Sequence, residues 1–374
     1  MSKNESSNRI EYLDIAKGIG IILVIMGHSG FLFDNLKTYF FSFHMPLFFV
    51  ISGMLLCVKK EDELDLHSVW SKKLRTMMIP YLWFSGIYMI IYIVNIILGY
   101  MTMADLWQSL VYTLDWFGDS TLWFLPTLLL SEAGFLFLCK KIHGPWSLIV
   151  SIVIGVICYG LQALITPVWA RYNDSFLVTN LVDFVRGFLR AGIATSFVAV
   201  GFFAVRTLGV LLVENTETVS ATSDIKGDGI LAKIPARRRI ADLVIGVILL
   251  ILTYGASYFN ETADFHRIVL GNYFLFFLSA VLGSFGIIFV SKAIGRMFIL
   301  AFYGRSSLII MCTHLNFYVL FGAIKWAWLV NNIVTRAKSY VFMFNIVVAA
   351  LVLETVIILL INRFFPFVLG KKRG

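Results

Sequence analysis

The sequence predicts an all-α fold, a polytopic membrane helical bundle of about ten transmembrane helices. Three observations predict it. Hydrophobic residues fill 59% of the 374 positions and charged residues only 14%, against about 25% charged in a soluble domain. Mean hydropathy is +0.85. Apolar runs long enough to cross a hydrocarbon layer of about 30 Å recur from one end of the chain to the other.

The first run, Ile15–Phe33, has no A-x-A-like cleavage site after it and is followed at once by a second, Tyr39–Val58, so it reads as a signal anchor. The basic cluster Lys59, Lys60, Lys72, Lys73 and Arg75 separates the second span from the third, Met77–Gly99. Leu122–Cys139 is the fourth span, and Lys140 and Lys141 divide it from the fifth, Trp146–Ile165. Asp183, Arg186 and Arg190 lie on a segment that reads as an interfacial helix ahead of the sixth span, Ala191–Val213. Residues 214–240 are rich in Thr, Ser, Asp and Gly and read as a flexible loop. Ala241–Phe259, Gly271–Ser291, Ser306–Ala323 and Val341–Ile361 complete the count, with FILAF at 298–302 a possible extension of the ninth. The expectation is one integral-membrane domain over 1–374, with no internal repeat and no appended soluble domain.

With ten spans both termini share a side. The segments on that side hold 23 of the 31 Lys and Arg, and the opposite side holds 8. This bias places both termini and the 214–240 loop in the cytoplasm. It also accounts for the net charge of +9 without nucleic acid. Cys57, Cys139, Cys158 and Cys312 lie in or beside apolar runs without metal-ligand spacing, and read as buried thiols.

Lys17 and His28 stand eleven residues apart in the first span. Eleven helical steps bring both to one face, about 16 Å apart. Ionisable groups at membrane depth read as functional by default. The orientation puts Lys17 near the inner surface and His28 about 20 Å into the layer. It puts His44 in the outer third, His314 near mid-depth, Trp123 near the outer surface and Glu132 past the middle. His67, His143 and His266 read as loop residues without a role. Cations at an inner mouth and imidazoles farther out suit a polyphosphate donor with a thin arm, such as acyl-coenzyme A. A neutral histidine would then be general base on an acceptor hydroxyl, and Trp123 or a second imidazole an oxyanion donor. Each group has a bland counterpart: a satisfied core histidine, a topology-setting cation, or for Trp123 an aromatic-belt residue.

The stretches RIEYLDIAKGIGIILVIMGHSG, FHMPLFFVISGML, KKLRTMMIPY, LWFLPTLLLSE and GRSSLIIMCTH, in this order from Arg9 to about Leu315, resemble the acyltransferase family 3 membrane proteins, most of all their fucose 4-O-acetylase-like branch. The resemblance implies transfer of an acyl group, most often acetyl, from a cytoplasmic donor to extracytoplasmic or lipid-linked glycans. It places a basic-x10-His motif on Lys17 and His28, and an R-x-x-R motif on Lys72 and Arg75. Lys72 departs from that motif, since an ammonium lacks the planar fork of a guanidinium. Some relatives carry an extracytoplasmic esterase-like domain, so this membrane domain would complete transfer alone or with a separate partner.

The expectation is therefore an O-acyltransferase with acetyl-coenzyme A as donor substrate, a sugar hydroxyl as acceptor and no permanently bound cofactor or metal. His28 and His44 are the catalytic candidates. Lys17, Lys72 and Arg75 are the donor-binding candidates, with Asp14, Trp123, Glu132 and His314 lining the site. The rival reading is a proton-coupled transporter relaying through His28, Glu132 and His314. The absence of repeated halves in the sequence weighs against it, and a sensor module would leave His28 without a purpose.

Overall fold

The computed structural model describes residues 10–30, 34–212, 236–330 and 340–371. Among the described residues the regular structure is helical, apart from one isolated antiparallel bridge between Asp264 and Val269. Helix α1 (Glu11–His28) is followed by α2 (Asp34–Phe41), α3 (His44–Val58), α4 (Leu66–Ile97) and α5 (Met103–Leu114). A 3-10 turn, Ser120–Trp123, leads into α6 (Phe124–Lys141), and α7 (Trp146–Tyr172), α8 (Phe176–Leu212), α9 (Ala236–Tyr258) and α10 (Tyr273–Ile294) follow. Then come three short helices, α11 (Phe298–Arg305), α12 (Ser307–Thr313) and α13 (Val319–Val330), and the long α14 (Tyr340–Phe364). Among the described residues 8 helical segments are long and apolar enough to cross a membrane, α2 and α3 counting as one. This is a multi-pass helical membrane protein.

Glycines let the central helices touch backbone to backbone, the usual device where lipid supplies no hydrophobic drive between helices. A Cβ on Gly53 of α3 would collide with the Val198 carbonyl of α8, and one on Gly201 of α8 with the Val50 carbonyl of α3. Gly18 of α1 and Leu300 of α11 meet in the same way. Cys57, Cys139, Cys158 and Cys312 are free thiols.

Four expectations need correction. Lys72, Lys73 and Arg75 are not in a loop before the third span: α4 starts at Leu66 and runs 32 residues. At 1.5 Å per residue that is about 48 Å, so its first turns project beyond the hydrocarbon layer. The Asp65 carboxylate caps it, accepting from His67 and Ser68 N–H. Asp183, Arg186 and Arg190 are not on a separate interfacial helix but within α8, which is continuous from Phe176. Their charges are absorbed by neighbours: Arg186 pairs with Asp183 at 2.9 Å, and Tyr112 donates to Asp183 at 3.2 Å. The ninth span is not one helix. FILAF forms α11, and Ser306–Ala323 is split between α12 and α13, with Tyr318 at φ +57° in the break. Of the loop expected over 214–240, residues up to 235 lie outside the described set, and 236–240 form the first turn of α9.

The segment between α9 and α10 turns back into the bundle. Asn260 clamps its base, donating to the Leu270 carbonyl at 3.0 Å and accepting from Asn272 N–H at 2.8 Å. Ala263, Phe265, Ile268 and Leu270 are buried.

Candidate active site

A cavity of about 470 Å³ opens at the end of the bundle where α1 begins. Its mouth carries Lys17 from α1, Lys59 just past α3, and Lys72 and Lys73 from α4. Its walls are Phe48 and Leu55 of α3, Phe124 and Leu125 of α6, and Leu308 and Met311 of α12. The volume falls within the usual range for ligand pockets, about 300–1,000 Å³.

The mouth lysines differ in their surroundings. Lys17 Nζ lies 2.7 Å from Asp14, one turn back on α1, and Asp14 is buried. Lys73 is 8% exposed and is bracketed by two carboxylates, donating to Glu132 at 2.5 Å and lying 2.8 Å from Glu61. Ser52 donates to the other oxygen of Glu132. Lys72 is exposed and reaches Glu61 only at 4.0 Å. Lys73 was read from sequence as a topology marker, and nothing in KKLR distinguishes it from Lys72; only the helical phase of α4 turns one inward and the other out. Arg75 is not among the residues lining the cavity. Its Nε donates to the Gly370 carbonyl at 3.1 Å, tying α4 to the turn after α14.

At the opposite end of the same helices the histidines gather. His28 ends α1 and is exposed, with its ring centroid 5.3 Å from that of His314. His314 caps α12 and is 0% exposed; its Nδ1 lies 2.8 Å from the Ile310 carbonyl, and its Nε2 has no partner. A carbonyl only accepts, so Nδ1 carries the proton and Nε2 presents a lone pair. His44 begins α3 and is buried at 5% exposure. Its Nδ1 bonds the Phe40 carbonyl at 2.8 Å, which again leaves Nε2 as the acceptor. Phe48 lies one turn beyond His44 and Met311 one turn before His314, so the two ends of the site share two helices. Beside His314, Thr313 Oγ1 lies 2.8 and 3.0 Å from the oxygens of buried Glu354.

Trp123 is packed on both sides rather than open. Its ring stacks on His266 at 5.4 Å and an interplanar angle of 10°, and the Arg190 guanidinium lies 4.8 Å from its centroid. Arg190 is 0% exposed, and it donates to Thr127 Oγ1 at 2.8 Å, the Phe117 carbonyl at 2.8 Å and the His266 carbonyl at 3.0 Å. It thereby joins α8, α6, the turn before Trp123 and the inward-folded segment. Burial, with the Arg190 charge beside it, holds the His266 imidazole well below its ordinary pKa and hence neutral. The sequence reading missed His266 and the role of Arg190, since both belong to segments it placed at the surface. The one signal available was FHR between two apolar runs.

Comparison with known proteins bears on this arrangement. The family model described as "Acyltransferase domain", acyltransferase family 3, matches residues 10–363. A curated protein of Enterococcus faecalis named amino-acid racemase is 26% identical over 201 residues, which is 50% of this chain but 26% of that protein. The chain thus spans about a quarter of that relative's length. No solved structure matches.

Proposed function

The chain belongs to acyltransferase family 3, whose activity is the transfer of acyl groups other than aminoacyl groups, and from that premise we propose that it moves an acetyl or similar acyl group from cytoplasmic acyl-coenzyme A to a hydroxyl of a cell-envelope glycan or its lipid-linked precursor. One observation carries the reading: a lysine-mouthed cavity runs between apolar walls that include Phe48 and Met311, one helical turn from His44 and His314 respectively. The donor's phosphates bind Lys17, Lys59, Lys72 and Lys73 as charge-assisted contacts. The pantetheine arm lies along Phe48, Leu125 and Met311, and its thioester reaches the level of the histidines. Arg75, engaged with Gly370, is left out of the donor site.

At the thioester, His28 takes the proton of the acceptor hydroxyl as its oxygen attacks the carbonyl carbon. The tetrahedral intermediate then expels the thiolate as the C–S bond breaks. His28 suits the base because it is exposed on the side away from the lysine mouth, where an acceptor arrives. His44, buried with its Nε2 lone pair available, assists by binding the acceptor hydroxyl. In this reading the lysine end faces the cytoplasm of a bacterial cell membrane and both termini lie there.

The test is sided. Proteoliposomes with the lysine end outward receive acetyl-coenzyme A outside and glycan acceptor in the lumen. Free coenzyme A should appear outside while lumenal acceptor gains an acetyl mass. Coenzyme A itself should not cross, because its charges would have to leave water. Acetylation of external acceptor alone would overturn the two-sided layout. A solute that accumulates unchanged with a proton gradient, and no acylated product, would overturn acyl transfer.

A further inference from the structure

We infer that His314 is the proton carrier for the leaving group: it takes from His28 the proton removed from the acceptor and delivers it to the departing thiolate. The inference rests on the acyl-transfer reading above and adds a second catalytic imidazole to it.

Three observations lead there. His314 occupies the junction between the two halves of the site. Ser307, Leu308 and Met311 of its own helix line the donor cavity, and His314 follows Met311 by one turn on the same face. Its ring also meets that of His28 at 5.3 Å. The tautomer is fixed by position, because Nδ1 is committed to the Ile310 carbonyl and Nε2 alone remains. Finally, Nε2 is buried without a hydrogen-bond partner. A bare acceptor inside a membrane protein is costly, and it is the vacant place that a transferred proton requires. The break between α12 and α13 adds to this. A helix continuing past Thr313 would carry its carbonyls onward, whereas here the chain turns away at Tyr318, φ +57°, and His314 is left at a helix end.

The step balances without a co-reactant. The acceptor O–H bond breaks and its proton joins His28, while the oxygen's electron pair forms the new C–O bond. The C–S bond breaks and sulfur keeps the pair. The proton passes from His28 to His314 Nε2, and then to sulfur, which leaves as a neutral thiol. Both imidazoles end as they began.

The experiment compares wild type with His314→Gln on two donors, acetyl-coenzyme A and phenyl thioacetate. The alkyl thiolate of coenzyme A is basic and gains from protonation as it leaves, whereas a thiophenolate does not. The wild-type-to-variant rate ratio for each donor cancels their different binding. With acetyl-coenzyme A the variant should lose about 10²–10⁴ in rate, the usual weight of general acid–base catalysis, while keeping its affinity for coenzyme A. With phenyl thioacetate the ratio should fall to within about tenfold of one. A variant that keeps a tenth or more of the rate with acetyl-coenzyme A overturns the inference, and so does an equal loss with both donors. Wild type that acylates nothing from either donor defeats the acyl-transfer reading instead.

Discussion

Gly304 of α11 rests on the backbone of Asp14 in α1, with no room between them for a methyl group. Gly18, one turn along α1, meets Leu300 in the same way. This contact fixes α1, and with it both Lys17 and His28. Gly304→Ala should therefore part the helices and cost about 1–3 kcal/mol or more. Thermal unfolding in detergent should show a lowered midpoint, and acylation should fall with it. Gly86→Ala is the control, because a Cβ there meets nothing within 4 Å; its midpoint should be unchanged or slightly raised.

Replacement of His28 separates chemistry from binding. His28→Ala should insert and bind coenzyme A as wild type does, with acylation reduced about 10²–10⁴-fold. The check is paired coenzyme A titration and product mass spectrometry. Near-normal turnover would remove His28 from the reaction.

Donor affinity should track the cavity rather than the motif. Lys72→Ala removes a mouth charge, and with it a charged hydrogen bond of about 1.5–3 kcal/mol, so coenzyme A should bind about tenfold or more weakly. Arg75→Ala breaks only the tie to Gly370, and its affinity should stay within about twofold of wild type. Titration in nanodiscs distinguishes the two, and the reverse ranking would put Arg75 back among the phosphate ligands.

The segment that carries His266 should loosen in acid. Its imidazole is held below the ordinary value by burial and then by Arg190, and it regains a pKa of about 6.5 when the segment opens. The closed form is then fully favoured above about pH 6.5 and loses that advantage as pH falls. Tryptic cleavage at Arg267, normalised to a peptide substrate, should rise by up to about tenfold per pH unit below that point. His266→Asn should remove the dependence, and a flat wild-type profile would show that His266 already titrates normally in place.

Much of this arrangement was legible in the sequence, and the failures have physical causes. Lys17 and His28 were readable because helical phase alone puts them on one face of α1. Gly18 and Gly53 carry a legible signal of their own, since a small residue in an apolar run goes with close helix packing. The start of α4 was lost because KKLR looks like a membrane boundary, yet a helix can leave the bilayer without ending. The break after Thr313 was lost because HLNFY holds neither Gly nor Pro, and the positive φ falls on Tyr318. Arg190 looked interfacial because a buried guanidinium is costly. Its relief comes from two carbonyls and a hydroxyl far away in sequence, which no local window contains.

The carboxylates around the mouth lysines set how strongly the cavity can hold an anion. Asp14 takes up the charge of Lys17, and Glu61 and Glu132 enclose Lys73. Four mouth ammoniums thus face three carboxylates, and Lys59 and Lys72 are the two without a close carboxylate of their own. Such a mouth draws a polyanion in over about 8 Å at physiological ionic strength and still lets it go. Turnover would then be limited less by escape of spent coenzyme A than in a site of four free ammoniums, and affinity would decline only gently as salt is raised.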